Sequence, residues 1–395
     1  MSELQQIKSE MTAEYDRIMQ YWISQMQDEE RGGFYGERDK FNNLVPDAPK
    51  GGILNGRMLW TFSTATRLFG KPEYRKAADR VFEYLCKYFY DAKNGGFYWS
   101  LNADGTPLDT KKQAYALGFC IYGLSEYARA TGNKKAVDIA VETYHLIEKH
   151  FRDRQRGGYI EALAADWTPL ADVRLSEKDE NTPKSMNTHL HIIEPYANLY
   201  RVTPSAELKE SIEHLLQIFT EKIIDAHTGH FNLFFDMDWA VKSKIDSYGH
   251  DIEGAWLLIE AAEVIGSEAW VEALRPICKR LTDITLAEGW DGDSIFYEKV
   301  NGVVDTDKHW WPQAETLVGL TDTWRLTGDE EYLRKMTLVW RFISEKLIDR
   351  EYGEWLWRVD KQGRDVYNDC KAGFWKCPYH NSRAIAEVLE RIKSL

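Results

Sequence analysis

The chain is short of most features that assign a protein quickly. Of its 395 residues only five are cysteine, Cys86, Cys120, Cys278, Cys370 and Cys377, a scattered and odd set. They fit neither a disulfide framework nor paired Cys-x-x-Cys zinc ligands, and read as reduced thiols in a cytoplasmic setting. No apolar run is long enough for a membrane span. The first residues lack a basic stretch followed by an apolar one, so no secretory signal is expected. Positive charge is in deficit: 50 Lys and Arg against 63 Asp and Glu leave a net charge of −13. No long block of one sign occurs, which argues against a nucleic-acid surface. A GxxxxGK[ST] loop, a GxGxxG fingerprint and an HExxH pair are all missing, so nucleotide use and that type of zinc site find no support. Linkers rich in Pro, Gly and Ser are missing too. Length alone would suggest two or three domains, yet residues 1–395 are expected to form one catalytic domain.

What the chain does have is aromatic side chains and a repeat. The 15 Trp and 21 Tyr offer flat apolar faces with a polar edge, suited to a core and to sugar rings. An acid followed four residues later by glycine, with an aromatic segment behind it, recurs six times: DEERGGFYG from Asp28, DAKNGGFYWS from Asp91, DRQRGGYIEA from Asp153, DAHTGHFNLFFD from Asp225, EGWDGDSIFYE from Glu288 and DREYGEWLW from Asp349. The glycines, Gly32, Gly95, Gly157, Gly229, Gly292 and Gly353, are 63, 62, 72, 63 and 61 residues apart. Each copy reads as a helix end, a glycine turn and a short β segment, the fifth being degenerate.

Between marks the periodicity is helical twice. One helix is amphipathic, as at 73–89, 208–219 and 332–347. The other is apolar on most sides, as at Met58-Leu59-Trp60-Thr61-Phe62 and Ala255-Trp256-Leu257-Leu258-Ile259. Five gaps hold ten helices, and helices near 3–26 and 380–393 make twelve. Six pairs, one split between the termini, describe a closed (α/α)6 barrel with short β segments in the loops. An open solenoid would need distinct polar caps.

A ring of inner helices brings their starting residues to one face. Those starts carry Arg57, Tyr115, Asn187, His189, His191, His250, His309, Trp310, Trp311, Trp375, Tyr379 and His380. Asn187 and His191 are spaced to share a helix face, with Glu194 beyond them, while His189 must point elsewhere. His250 and Glu253 are spaced so that the carboxylate can hold the imidazole tautomer, and Trp311 and Glu315 share a face. Ionisable and aromatic groups therefore gather where a packed core would want Leu and Val. Three histidines on different repeats favour a functional reading over three separate structural ones. A three-histidine metal site is disfavoured, because His189 and His191 cannot converge on one ion. A glycoside hydrolase using two of Asp251, Glu253 and Glu315 stays open on the residues alone. So does a sugar-binding or scaffold protein that uses the aromatics without catalysis.

The segments GGFYG, RMLWTFS, LSEKD, KSMNTHLHIIE, SYGHDIE, WWPQAE and WKCPYHN, in this order from Gly32 to Arg383, resemble the cellobiose 2-epimerases of the N-acylglucosamine 2-epimerase superfamily. The resemblance implies an (α/α)6 barrel and an isomerase that interconverts the gluco and manno configurations at C2 of a reducing-end sugar. It implies no cofactor and no metal, a mono- or disaccharide as substrate and no required protein partner; the charge and hydropathy above leave no nucleic-acid or membrane partner expected. It places His250 and His380 as the general acid/base pair, His191 at ring opening and Arg57 on the enediolate oxygens. Tyr115, Asn187, Glu253, Glu315, Trp311 and Trp375 then belong to the sugar pocket, and Trp310 at the same mouth is a further stacking candidate. Two related activities remain as alternatives: epimerisation of free D-mannose and D-glucose, and aldose–ketose isomerisation. Asn55-Gly56 is expected to leave the pocket wall less defined, and the loops at 37–50 and 361–374 are expected to cover the mouth.

Overall fold

A computed structural model describes residues 3–393, and twelve α-helices carry most of them. In chain order they are α1 (Glu3–Gln25), α2 (Gly52–Phe69), α3 (Pro72–Tyr84), α4 (Ala114–Thr131), α5 (Lys134–His150), α6 (Met186–Tyr200), α7 (Ala206–Ile218), α8 (Tyr248–Val264), α9 (Glu268–Gly289), α10 (Trp310–Thr327), α11 (Glu330–Phe342) and α12 (Tyr379–Arg391). The even-numbered helices form an inner ring: α2 packs on α4, α4 on α6, and so on to α10 on α12, which packs back on α2. The ring is closed, as the count of repeats requires. Residues 52–65 of α2 and 114–128 of α4 are buried on every side, which explains their lack of a polar stripe. The odd-numbered helices lie outside and carry the amphipathic pattern. Three of them, α3, α7 and α11, end in a π-turn (Leu85–Phe89, Phe219–Ile223 and Ile343–Leu347) that leads into the glycine turn. No helix among the described residues is long and apolar enough to cross a membrane.

Glycines bring α2 and α4 together. A Cβ on Gly56 would lie 2.8 Å from the Phe119 carbonyl oxygen, and one on Gly123 would lie 2.5 Å from the Gly56 carbonyl oxygen. Gly56 therefore lets α2 and α4 approach backbone to backbone. The expectation that it loosens the pocket wall is corrected: it tightens the wall.

The acid of the repeat holds its turn and, in most copies, also pairs with a lysine. One carboxylate oxygen of Asp28, Asp91, Asp153, Asp225 and Asp349 accepts the backbone N–H groups two and three residues on, holding the turn. In three copies the other oxygen accepts a buried lysine two residues ahead of an inner helix: Lys50 on Asp28, Lys112 on Asp91 and Lys184 on Asp153, each at 2.9 Å. In the fifth copy the lysine, Lys308, pairs with Asp291, also at 2.9 Å. There Glu288 lies in the last turn of α9 and pairs with Lys299, so Asp291 replaces it as the acid of that turn. In the sixth copy Lys371 pairs with Asp349, and Lys376 with Glu354 at 3.1 Å.

Just ahead of five of the six inner helices a two-residue strand pairs, antiparallel, with a strand of the following repeat. Lys50 faces Leu101, Lys112 faces Leu163, Lys184 faces Phe235, Ile245 faces Val300 and Lys308 faces Val359. Arg38 and Ala372 complete the circuit between the first and last repeats. The segments 37–50 and 361–374 thus meet at the seam of the ring: Arg38 N–H donates to Ala372 C=O at 2.9 Å, and Lys371 N–H to Arg38 C=O at 3.0 Å.

Lys112 and Asp91 are both fully buried. Lys112→Met is expected to strand the Asp91 carboxylate in the interior and cost about 3–5 kcal/mol of stability. Urea denaturation of parent and variant measures it, and a change below about 1 kcal/mol would contradict the structural role.

Candidate functional site

The paired strands set all six inner-helix N-termini at one end of the barrel, and the candidate side chains sit in their first two turns. A ring of helix N-termini favours negative charge developing among them.

His380, on α12, is held through Nδ1 by Glu315 Oε1 at 2.6 Å. His191, on α6, is held through Nδ1 by Glu194 Oε2 at 2.9 Å. His250, on α8, is not held by Glu253 as the spacing suggested; its Nδ1 meets Ser247 Oγ at 2.7 Å. Glu253 turns the other way and accepts from Arg383 Nη2 at 2.6 Å. In all three histidines Nδ1 is engaged, which leaves Nε2 as the reactive nitrogen. Burial pushes all three below the usual imidazole range, His250 to about 3, so they are neutral in the free protein.

Arg383 is the hub that spacing did not reveal. Fully buried, it binds Glu194 and the Tyr379 hydroxyl through Nη1, and Glu253 and Glu315 through Nη2. Burial raises the carboxyl of Glu194, but Arg383 and His191 outweigh it and bring it down to about 2. Burial and the neighbouring Glu315 push the Glu253 carboxyl well above the usual carboxylate range, and its Oε2 has no partner. Glu253, Glu315 and His380 are near enough together to suggest ligands for an ion. The Arg383 guanidinium already bridges the two carboxyl groups there. The only sequence sign of this hub was an arginine three residues after His380 on a helix face that is otherwise buried.

Arg57 stands between aromatic faces. Its guanidinium lies 4.2 Å from the Phe119 ring centre and 4.9 Å from that of Tyr379, and Nη2 donates to the Tyr115 hydroxyl at 2.6 Å. Its buried Nε has no partner. Tyr115 also touches His191 edge-on, ring centres 4.9 Å apart. Trp311 lies between the two other histidines, 4.7 Å from His250 and 5.7 Å from His380. Gly249 makes room for it, since a Cβ there would lie 2.5 Å from the indole. Trp375 is half-buried and follows Phe374 at the end of the seam, 6.0 Å from Trp99 and 6.3 Å from Tyr115.

Other candidates have different surroundings. Trp310 is buried, packed on Trp357 at 4.7 Å with Lys376 over its ring, and it meets His380 edge-on with ring centres 6.4 Å apart. His309 is stacked flat on Tyr297 at 3.9 Å. His189 is structural: its Nδ1 faces the Ser185 carbonyl and its Nε2 accepts the Tyr159 N–H at 2.8 Å. At the same helix position Asp251 accepts the Phe231 N–H and Gln313 the Ile295 N–H, so this place in each repeat ties helix to turn. Asn187 is half-buried, its Oδ1 without a partner, in a small cavity lined by Glu161, Ser185, Phe234 and the loop residues Arg174, Leu175, Asp179, Glu180 and Thr182. This loop carries the LSEKD segment, and Lys178 and Asp179 lie close enough to Tyr297, Glu298 and His309 to act on their ionisation. It belongs beside the seam segments in the description of the mouth.

A kink aims His191. Pro195 has no N–H for the His191 carbonyl, and α6 breaks its helical geometry at His191 (φ −92°, ψ 15°). The released carbonyl lies where a Cβ on Gly118 of α4 would be, 2.3 Å away. Residues on two helices thus set one imidazole.

The family model for N-acylglucosamine 2-epimerase matches residues 32–384. The chain belongs to that family. It is therefore a sugar epimerase, an isomerase rather than a hydrolase. Its sequence is 49% identical to cellobiose 2-epimerase of Bacteroides fragilis, over 98% of each chain. It is 36% identical to that of Dictyoglomus turgidum, over 99% of this chain and all of the relative. The solved structure of cellobiose 2-epimerase from Bacillus thermoamylovorans superposes with a TM-score of 0.93 at 35% identity, over 98% of this chain and all of that one. The match to this N-acylglucosamine 2-epimerase family spans α2 to α10 and the start of α12 with His380 and Arg383.

Two outcomes are expected from this geometry. Gly118→Ala forces the His191 carbonyl away, costing about 1–3 kcal/mol of stability and lowering turnover further than a loss of fold accounts for; thermal melts and rates on the same sample separate the two. Burial raises the Glu161 carboxyl to about 8, with Thr188 Oγ1 donating to Oε2 at 2.6 Å. A raised folded-state value favours folding fully below the ordinary 4.5 and loses that contribution as pH rises through about 8. The parent is expected to lose stability relative to Glu161→Gln across that window and to level off above it, in denaturation series at stepped pH.

Proposed function

We propose that the enzyme interconverts the gluco and manno configurations at C2 of the reducing-end residue of cellobiose and related β-1,4-linked disaccharides. The observation that carries the chemistry is the pair His250 and His380. Each is neutral, held at Nδ1 from behind, and set against the same Trp311 ring. The disaccharide rests on the likeness to the cellobiose 2-epimerases.

The sugar must open before C2 can react, because only the C1 aldehyde acidifies the C2 proton. His191, oriented by Glu194, moves protons between the ring oxygen and O1 in that step. With the chain open, one histidine of the pair takes the C2 proton. The C–H electrons become the C1–C2 double bond of a cis-enediolate, and the carbonyl π pair moves to O1. The other histidine delivers a proton to the opposite face of C2, and the π pair returns to re-form the aldehyde. Histidine suits both roles because small changes in its surroundings move it between protonation states. Arg57 supplies fixed donors to O1 and O2. A donor of this kind contributes roughly 3–4 kcal/mol to lowering the barrier. The enediolate charge also favours an imidazolium in a site whose burial otherwise opposes one. Trp311 and Trp375 offer flat faces to the sugar, with Tyr115, Asn187, Glu253 and Glu315 at its hydroxyls.

Proton NMR of cellobiose, and separately of D-mannose, incubated with the protein in D2O tests the proposal. Deuterium at C2 together with a gluco/manno mixture is expected, with cellobiose the better substrate. Faster turnover of free mannose would move the enzyme to the monosaccharide alternative, and a ketose product to aldose–ketose isomerisation. His250→Ala and His380→Ala are each expected to lower turnover by about 10²–10⁴ with an unchanged circular dichroism spectrum. Parental rates in either variant would remove it from the acid/base pair.

A further inference from the structure

Ser247 is the N-cap residue of α8, yet its hydroxyl does not cap the helix. At the same place before α6, Ser185 accepts the N–H of Thr188, three residues on, at 3.1 Å, and Ser205 does so for Leu208 before α7. That bond is the ordinary use of an N-cap serine. Ser247 gives its Oγ instead to the side chain three residues on, the Nδ1 of His250, at 2.7 Å. The first turn of α8 is held by other means: Asp251 N–H donates to the Ser247 carbonyl at 3.0 Å, and the Asp251 side chain is bound to His230 and the Phe231 N–H.

The two histidines of the pair thus have partners of different kinds. Arg383 Nη2, Trp256 Nε1 and His380 Nδ1 all converge on Glu315. So beset with donors, Glu315 acts as an acceptor, keeps the proton of neutral His380 on Nδ1 and leaves a lone pair on Nε2. A serine hydroxyl donates or accepts by rotating about Cβ–Oγ. It can hold either tautomer of His250 in place, but it offers an imidazolium no counter-charge.

We propose that Ser247 is a positioning residue that fixes the His250 ring and makes His250 the weaker base and the readier proton donor of the two. The proposal rests on the two-histidine reading above. In the direction it favours, the C2 proton passes to His380 Nε2 and the C–H electrons enter the enediolate. The proton on His250 Nε2 then goes to C2 from the other side. The net change is one proton moved from His250 to His380, and exchange with water restores the starting state.

The test follows cellobiose and, separately, its C2 epimer in D2O by proton NMR, recording epimerisation and exchange of the C2 proton in recovered starting sugar. Ser247→Ala is expected to lower kcat about tenfold in both directions with KM within about twofold, as loss of one hydrogen bond at the transition state requires. It is also expected to raise exchange without epimerisation from one epimer only, the one whose proton His380 removes, because reprotonation by His250 then lags. Ser247→Thr keeps the hydroxyl and is expected to restore parental partitioning. Parental kcat in Ser247→Ala, or exchange rising equally from both epimers, would overturn the proposal. An unmodified protein that places no deuterium at C2 of either sugar fails earlier, and that result rejects the two-histidine reading itself.

Discussion

The buried lysine–aspartate tie is the interaction on which the rest of this molecule depends. Four of the six inner helices begin two residues after a lysine that is bound to the acid of a glycine turn, and the other two are anchored by ion pairs of their own. A bare lysine in the core would be untenable, and so would a bare aspartate. Together they fix the height and rotation of the helix start relative to the turn. The short antiparallel pairs then pass that position from repeat to repeat around the ring. Because every helix start is held by a buried or partly buried ion pair, side chains from five different inner helices, α2, α4, α8, α10 and α12, and the kinked α6 can meet at one mouth. The chemistry needs that convergence, since no single helix carries more than a fraction of the set.

A second electrostatic centre serves the site itself. Arg383 gathers Glu194, Glu253 and Glu315, and two of those carboxylates orient His191 and His380. Arg383 lies among these carboxyl groups with Arg57 nearby, and burial keeps the three histidines neutral. In the proposed mechanism a developing enediolate faces Arg57 and the helix N-termini. This is a preorganised arrangement, because none of these groups has to move to meet that charge.

The architecture was legible in the sequence because it is periodic. Six acid–glycine marks and two helical patterns per interval lead to twelve helices and a closed ring, and the ring predicts which residues share the mouth. His191, His250, His380, Arg57 and Trp311 are legible on the same basis. Spacing failed where a partner comes from another helix. His250 and Glu253 are three apart, but Glu253 is drawn to Arg383 on α12, and His250 finds Ser247 behind it. Trp310 and Trp311 are adjacent, and sequence alone does not say which of them lies between His250 and His380. Gly56 and Gly118 are likewise silent in one dimension. Each is needed because a backbone from a neighbouring helix passes within Cβ distance.

The fourth repeat shows how the scaffold makes room for chemistry. Where Lys50, Lys112, Lys184 and Lys308 stand two residues before their helices, this repeat has Asp246, and Asp225 has no lysine. Lys299 of the following segment neutralises Asp246 at 2.8 Å, and His230 binds Asp251 at 2.7 Å, so the helix start is anchored by its own fourth residue. Ser185 caps its helix by accepting the Thr188 N–H, whereas the Ser247 hydroxyl is bound to a side chain, His250 Nδ1. A histidine placed three residues after a serine that does not cap acquires a fixed ring without acquiring a carboxylate.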